Sequence, residues 1–144
     1  MIKISKMKIS DYENVYTLWS GTKGMGMRSL DDSYKGIEKF LERNPDTCFI
    51  AEEDKKIVGV LLCGNDGRRA YIYHTAVDEK RRGQGIGTQL VKTCINALAE
   101  MGINKAALVA YKNNQTGNLF WERMGFTTRD DLTYRNYTIN KNNI

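Results

Sequence analysis

At 144 residues the chain has room for one domain around a single substantial core, so a separate second domain is not expected, and one proline leaves little room for linkers. Hydrophobic residues at 41% and charged ones at 27% are ordinary for a globular domain, and no run approaches the roughly 18 apolar residues of a membrane span. The net charge of +5 is carried by basic residues interleaved with acidic ones, which argues for attraction of a small phosphorylated ligand and against nucleic acid.

Met1 to Lys6 lacks the apolar core of a signal peptide, so a cytoplasmic location without a membrane partner is expected. Cys48, Cys63 and Cys94 are odd in number and form no C-x-x-C pair, which predicts buried free thiols, no disulfide framework and no metal site. Only the polar tail Asn140 to Asn143 reads as disordered.

In chain order, a strand is predicted from Ile2 to Ile9, with a slip in its alternation between Ile4 and Met7 that marks a bulge. Ser10-Asp11-Tyr12-Glu13 then reads as a capping box opening a helix with Val15, Leu18 and Trp19 on its apolar side, stopping before Gly21. A second helix from about Leu30 carries Tyr34, Ile37 and Leu41 on one stripe and ends before Asn44-Pro45. Thr47 to Glu52 and Lys56 to Cys63 form a hairpin turning at Asp54-Lys55, and a fourth strand runs from Ala70 to Val77. The third helix, from Ile86 to Met101, presents Ile86, Leu90, Cys94 and Leu98, with Gly102 as C-cap. A buried strand from Lys105 to Tyr111, a helix capped by Asn114 and ended by Gly125, and a last strand from Leu132 to Ile139 complete the order β-α-α-β-β-β-α-β-α-β.

The stretch from Val77 to Thr88 carries the chemistry. Glycines at 83, 85 and 87 let backbone amides approach a ligand, the helix from Ile86 aims its orphan N–H groups and positive dipole end at the turn, and Lys80, Arg81 and Arg82 add positive charge. A phosphate-rich anion fits such a turn. The dinucleotide fingerprint G-x-G-x-x-G fails because Thr88 stands where the third glycine belongs, and the next strand runs into Lys112 without an acidic residue for a ribose. The Walker spacing fails as well, leaving Arg82-x-x-Gly85-x-Gly87 after a strand ending in Ala76-Val77.

That motif, followed by Asn114-x-x-Gly117-x-x-Phe120-Trp121-x-x-x-Gly125-Phe126, resembles the two signatures of the GNAT superfamily of N-acyltransferases, the second usually reading Asn-x-x-Ala-x-x-Phe-Tyr-x-x-x-Gly-Phe. The resemblance implies the GNAT α/β fold (of α+β type) with a central mixed, mostly antiparallel sheet, and acetyl-CoA as co-substrate. It places the pyrophosphate on Arg82, Gly83, Gln84, Gly85, Ile86, Gly87 and Thr88. The pantetheine arm would lie along Thr75, Ala76 and Val77 between splayed strands, with Asn114, Phe120 and Trp121 beside it. The implied reaction is direct attack of a primary amine in a ternary complex, the acceptor being a small molecule, a protein N-terminus or a lysine. Homodimers are frequent in the superfamily. Asp66-Gly67-Arg68-Arg69 leading into Tyr71-Ile72-Tyr73-His74, with Phe120-Trp121-Glu122, looks closest to small bacterial members grouped with the ribosomal-protein alanine N-acetyltransferases.

Two departures matter. Tyr71 and Val109 stand where relatives carry a glutamate base, which leaves His74, the chain's single histidine, and Tyr71 as candidates for moving the acceptor's proton. Strand alternation puts Tyr71 and Tyr73 opposite His74 unless a bulge intervenes, and the alternative for His74 is simple packing in the sheet. Trp121 replaces the family's tyrosine acid, so it reads as a wall beside the thioester. Asp66, Arg68 and Tyr73 are candidate acceptor contacts, and Gly21 to Arg28 is a candidate lid. The missing acid and base leave a second functional reading, a GNAT-fold module that binds acyl-CoA with little turnover.

Overall fold

The computed structural model describes residues 1–144. Its sheet has the order β1-β2-β3-β4-β5, built from Lys3–Lys6, Phe49–Glu53, Lys56–Asn65, Ala70–Val77 and Ala106–Ala107. The first three pairings are antiparallel and β4–β5 is parallel, the mixed, mostly antiparallel sheet that the resemblance implies. Four helices cover it: α1 (Tyr12–Ser20), α2 (Tyr34–Arg43), α3 (Ile86–Glu100) and α4 (Gln115–Arg123).

Period-two alternation sorts the strands into two cores. On one face Leu61, Cys63, Ala70 and Ile72 meet Ile86, Leu90, Cys94 and Leu98 of α3, the helical stripe expected from the sequence. On the other, Ile50, Val60, Leu62 and Ala76 meet Val15 and Trp19 of α1 and Ile37 and Leu41 of α2. Cys48, Cys63 and Cys94 are free and buried. Burial pushes Cys48 up to about 12, and Cys94 is raised by its contact with Cys63 and then by burial. The native protein is therefore expected to leave a colourless disulfide reagent unreacted near neutral pH and to react once unfolded; rapid native labelling would contradict the burial.

Several boundaries differ from those read in the sequence. The first strand is shorter, and the helix that follows is opened by Asp11, whose carboxylate accepts from the Lys8 amide at 2.8 Å after a 3-10 turn over Ile9–Asp11; the Ser10–Glu13 box does not form. Ser33 caps α2 by accepting from the Gly36 amide at 3.0 Å, so Leu30 to Asp32 stay outside the helix. The hairpin turns at Asp54 and Lys55, both at positive φ, as expected. The strand predicted over Lys105 to Tyr111 pairs only at Ala106 and Ala107, and the last strand predicted over Leu132 to Ile139 does not form. Alternation alone makes no strand: after two paired residues β5 offers no continuing edge. The exposed segment from Leu132 to Ile139 leads instead to a tail that is anchored, where disorder was expected. Asn143 Oδ1 accepts from the Leu30 and Asp31 amides at 3.0 Å each, and its amide donates to Asp31 at 2.8 Å.

The strand feature with most bearing on the site lies between Ile72 and Thr75. Leu61 pairs with Thr75 and Cys63 with Ile72, so Leu62 alone faces the two residues Tyr73 and His74, a β-bulge in β4. Ile72 consequently packs toward α3 and Ala76 toward α1 and α2, although both are even-numbered.

Candidate active site

A cleft of about 2010 Å³ runs from the glycine-rich turn, across the end of β4, to α2. At its first end Gly83 and Gly85 both adopt φ of 79°, a left-handed conformation that favours glycine, and a Cβ on either would meet nothing within 4 Å. Neither amide donates to a backbone carbonyl, and both lie at the start of α3, a helix of 15 residues whose dipole and unpaired N–H groups favour an anion there. Gly87 has a different reason to be glycine: a Cβ would stand 3.1 Å from the Phe120 ring, so it permits α4 to pack on α3. Arg81 is committed elsewhere, at 2.7 Å from Glu53, whereas Arg82 makes only a long contact to the Val77 carbonyl at 3.4 Å. Lys80 does not line the cleft, and of Arg81 and Arg82, which do, Arg82 retains freedom to meet a phosphate.

The middle of the cleft is the gap between β4 and β5, which pair only at Ala70–Ala106 and Tyr71–Ala107. The Asp78 amide bonds across to Val58 on β3, so alternation turns the Thr75 and Val77 amides toward the gap. Asn114 stands across it, its side chain accepting from the Gly117 amide at 3.0 Å as the α4 cap. A Cβ at Gly117 would lie 2.5 Å from that side chain, which gives a steric reason for glycine where relatives carry alanine. Trp121 is half-buried between Phe120 and Phe126, with ring centroids 5.0 and 5.1 Å away, and forms a wall.

The bulge brings Tyr71, Tyr73 and His74 to one face, meeting the condition under which all three border the same cleft. Tyr73 packs on Tyr71 at 4.7 Å and on Phe40 of α2 at 5.6 Å. Burial, with Tyr134 and Tyr73 close by, pushes Tyr71 up to about 12, and burial raises Tyr73 as well, so both are neutral phenols at physiological pH. Tyr71→Phe is therefore expected to change turnover by no more than about tenfold, the effect of a lost neutral hydrogen bond; a larger loss in steady-state kcat would assign it direct chemistry.

His74 Nε2 lies 2.8 Å from Asp32 Oδ1, and the side chains are 16% and 7% exposed. Asp32 Oδ2 accepts from the Arg28 amide at 2.6 Å, and the Tyr12 hydroxyl donates to the Asp32 carbonyl at 2.7 Å. An ionised carboxylate only accepts, so it holds the proton on Nε2 and leaves Nδ1 as the basic nitrogen. Trp19, fully buried, packs edge-on against the imidazole with centroids 5.1 Å apart. The loop bearing Asp32 is tightly set: a Cβ on Gly36 would fall 2.3 Å from the Leu30 carbonyl oxygen and 2.4 Å from that of Asp31. Gly36→Ala is expected to cost about 1–3 kcal/mol in denaturant titrations and, by displacing Asp32, to lower turnover. Wild-type stability would show that the loop yields freely.

The cleft thus gathers Thr75, Ala76 and Val77 of β4, the turn residues Arg82, Gly83, Gly85, Ile86, Gly87 and Thr88, and Asn114, Phe120 and Trp121 of the α4 region. Gln84 does not line it, and neither do Asp66 or Arg68. Asp66 shapes its own turn by accepting from the Arg68 and Arg69 amides at 2.8 Å each, and the Arg69 and Arg68 amides hold its carboxyl below the usual range. Asp32 was missed because Asp31-Asp32-Ser33 reads as a polar helix entry, and nothing local marks a carboxylate that finds its partner 42 residues away. The Gly21 to Arg28 segment does reach across the cleft, with Gly24 and Gly26 against Tyr111.

Residues 12–126 match the model of the Acetyltransferase (GNAT) family. The chain is 30% identical over 132 residues to the acetyltransferase ECA0875 of Pectobacterium atrosepticum, covering 92% of each. It is 36% identical over 117 residues to N-alpha-acetyltransferase 30 of Xenopus laevis, covering 76% of this chain and 42% of that one. Among solved structures, the aminoglycoside acetyltransferase meta-AAC0020 from an uncultured soil metagenomic sample superimposes with a TM-score of 0.77 at 26% identity, covering 96% of this chain and 97% of that one.

Proposed function

The chain belongs to the GNAT acetyltransferase family, enzymes that move an acetyl group to an amine, and on that premise we propose that it uses acetyl-CoA with His74 as the base and Asp32 as its orienting partner. The observation that carries this reading is the opening of the phosphate turn, the β4–β5 gap and the His74–Asp32 pair onto one cleft.

In this reading the Gly83 and Gly85 amides, the α3 N-terminus and Arg82 hold the pyrophosphate, and the gap-facing amides of Thr75 and Val77 pair with the pantetheine arm. The acceptor enters on the α2 side, beside Tyr73. An alkylammonium must lose a proton before it attacks, and Nδ1 of His74 accepts it directly or through a water. The resulting imidazolium is stabilised by the Asp32 carboxylate, so the pair separates charge within a buried contact. The amine nitrogen then bonds to the acetyl carbon while the carbon–sulfur bond breaks, the electron pair leaves on sulfur, and the nitrogen sheds its second proton to water to give the neutral amide. A thiol has a reference pKa near 8.5, so the thiolate departs without a dedicated acid, consistent with Trp121 at the position where relatives have tyrosine.

The reading of the domain as a binding module with little turnover rested on the missing acid and base; the His74–Asp32 pair offers a base, and a thiolate that leaves without a dedicated acid weakens the other half of that motive. The direct test is thiol release from acetyl-CoA across a panel of amines, run beside a calorimetric titration with acetyl-CoA. Amine-dependent release supports the proposal. Tight binding with no release from any amine would sink the catalytic part, and no binding of acetyl-CoA would sink the donor assignment.

A further inference from the structure

The acceptor side of the cleft is more basic than an amine-binding site requires. Lys35, Lys39 and Arg43 recur at four-residue spacing along α2, are exposed, and line the cleft beside Phe40. None of the three has a carboxylate within 4.0 Å; the ion pairs of the molecule are Lys6–Asp46, His74–Asp32, Arg81–Glu53 and Arg129–Asp131. The two acidic residues that reach the cleft are both engaged, Asp32 with His74 and Asp31 with Asn143.

Residues three and four apart are neighbours on a helix surface. In α2, Lys35, Lys39 and Arg43 follow one another at four-residue spacing, and Glu38 and Glu42 form a parallel acidic row three residues on from Lys35 and Lys39. Glu38 and Glu42 do not line the cleft, so the cleft-facing row is uniformly positive and suits an anion lying along it.

Resting on the acetyltransferase reading above, we propose that the acceptor is a peptide N-terminus whose next few residues are acidic, its carboxylates lying along Lys35, Lys39 and Arg43 while its amine reaches His74. Length argues for a peptide over a small amino acid. The row extends over eight helical residues, about 12 Å at 1.5 Å each, which matches roughly four residues of extended chain. A single small dicarboxylate does not span it.

The test compares free-amine hexapeptides Ala-Asp-Glu-Glu, Ala-Gln-Gln-Gln and Ala-Lys-Lys-Lys, each extended by the same two residues, on wild type and on the Lys35→Glu/Lys39→Glu/Arg43→Glu variant. The acidic peptide is expected to have a kcat/KM about tenfold above the neutral one, the sum of three modest surface attractions, and the margin should shrink as salt is raised. In the variant the order should reverse, with acetyl-CoA affinity unchanged by calorimetry. Binding of the N-acetylated acidic peptide, followed by fluorescence anisotropy, reads the same row without any turnover. If acetyl-CoA binds but no peptide is acetylated, tight variant-sensitive binding of that product peptide still upholds the row while the base assignment fails. Equal binding of the acidic and neutral products, or a preference the variant keeps, overturns the proposal. Competition by free glutamate as effective as that of the peptide overturns its extended length.

Discussion

His74→Ala is expected to lower kcat by about 10²–10⁴-fold, the usual contribution of a positioned general base, while acetyl-CoA binds as before. The geometry makes the prediction specific to one nitrogen. Asp32 sits 2.8 Å from Nε2, so the proton of the neutral imidazole is fixed there and Nδ1 carries the lone pair. Asp32→Asn keeps the size of the side chain but can present its amide to Nε2, which favours the opposite tautomer and moves the proton onto the nitrogen that should accept one. It should therefore lose most of the turnover that His74→Ala loses, and the double variant should be little worse than either, because residues acting as a unit are not additive. A structural role for the pair would instead produce losses that track melting temperature. The pH profile separates His74 from its neighbour: a base at Tyr71, pushed up to about 12, would make the wild-type rate keep climbing to strongly alkaline pH. A rate that levels off well below that, and a profile retained in Tyr71→Phe but flattened in His74→Ala, is the expected pattern. Full activity of His74→Ala would assign the proton transfer to another group.

What could be read from the sequence follows the range over which each signal acts. The shape of the glycine-rich turn was legible because its requirements are local: Gly83 and Gly85 are glycines for their own backbone angles, and the helix that begins at Ile86 places its dipole at the same point. Asn114 was legible for the same reason, since a cap acts within one turn of its helix. The face that bears Tyr71, Tyr73 and His74 depended on one non-local event. A single bulge in β4 decides whether His74 shares a side with Tyr71 and Tyr73, and the pairing register with β3 fixes that bulge. Asp32 needed the same long-range knowledge, because its carboxylate is defined by burial against α1 and by His74, and neither leaves a mark at positions 31–33. Leu132 to Ile139 erred in the other direction, with an alternating pattern but no edge to pair with. Asp66 and Arg68 had the right chemistry for an acceptor in a turn that does not reach the cleft.

Gly85→Val is expected to raise the Kd for acetyl-CoA by at least about 100-fold, a loss of roughly 2.7 kcal/mol. Two effects act together. At φ of 79° a β-branched residue is a genuine outlier, so the turn either strains or reorganises and its amides no longer converge. If the backbone holds, the new side chain occupies the open space beside the turn, where nothing of the protein lies within 4 Å of the Cβ position. Because that space is empty, the substitution overpacks no core, and the folded state should survive with a modest loss of stability. Gly102 provides the control. Its φ is 75° and its Cβ direction is also open, but it ends α3 at the far side from the phosphate turn and does not line the cleft. Gly102→Val should carry a similar backbone cost, visible as a similar drop in melting temperature, and leave the calorimetric titration with acetyl-CoA unchanged. Equal losses of affinity in both variants would mean that binding merely follows stability. Undiminished affinity in a folded Gly85→Val protein would remove the turn from the donor site, and with it the reason to read His74 as facing a thioester.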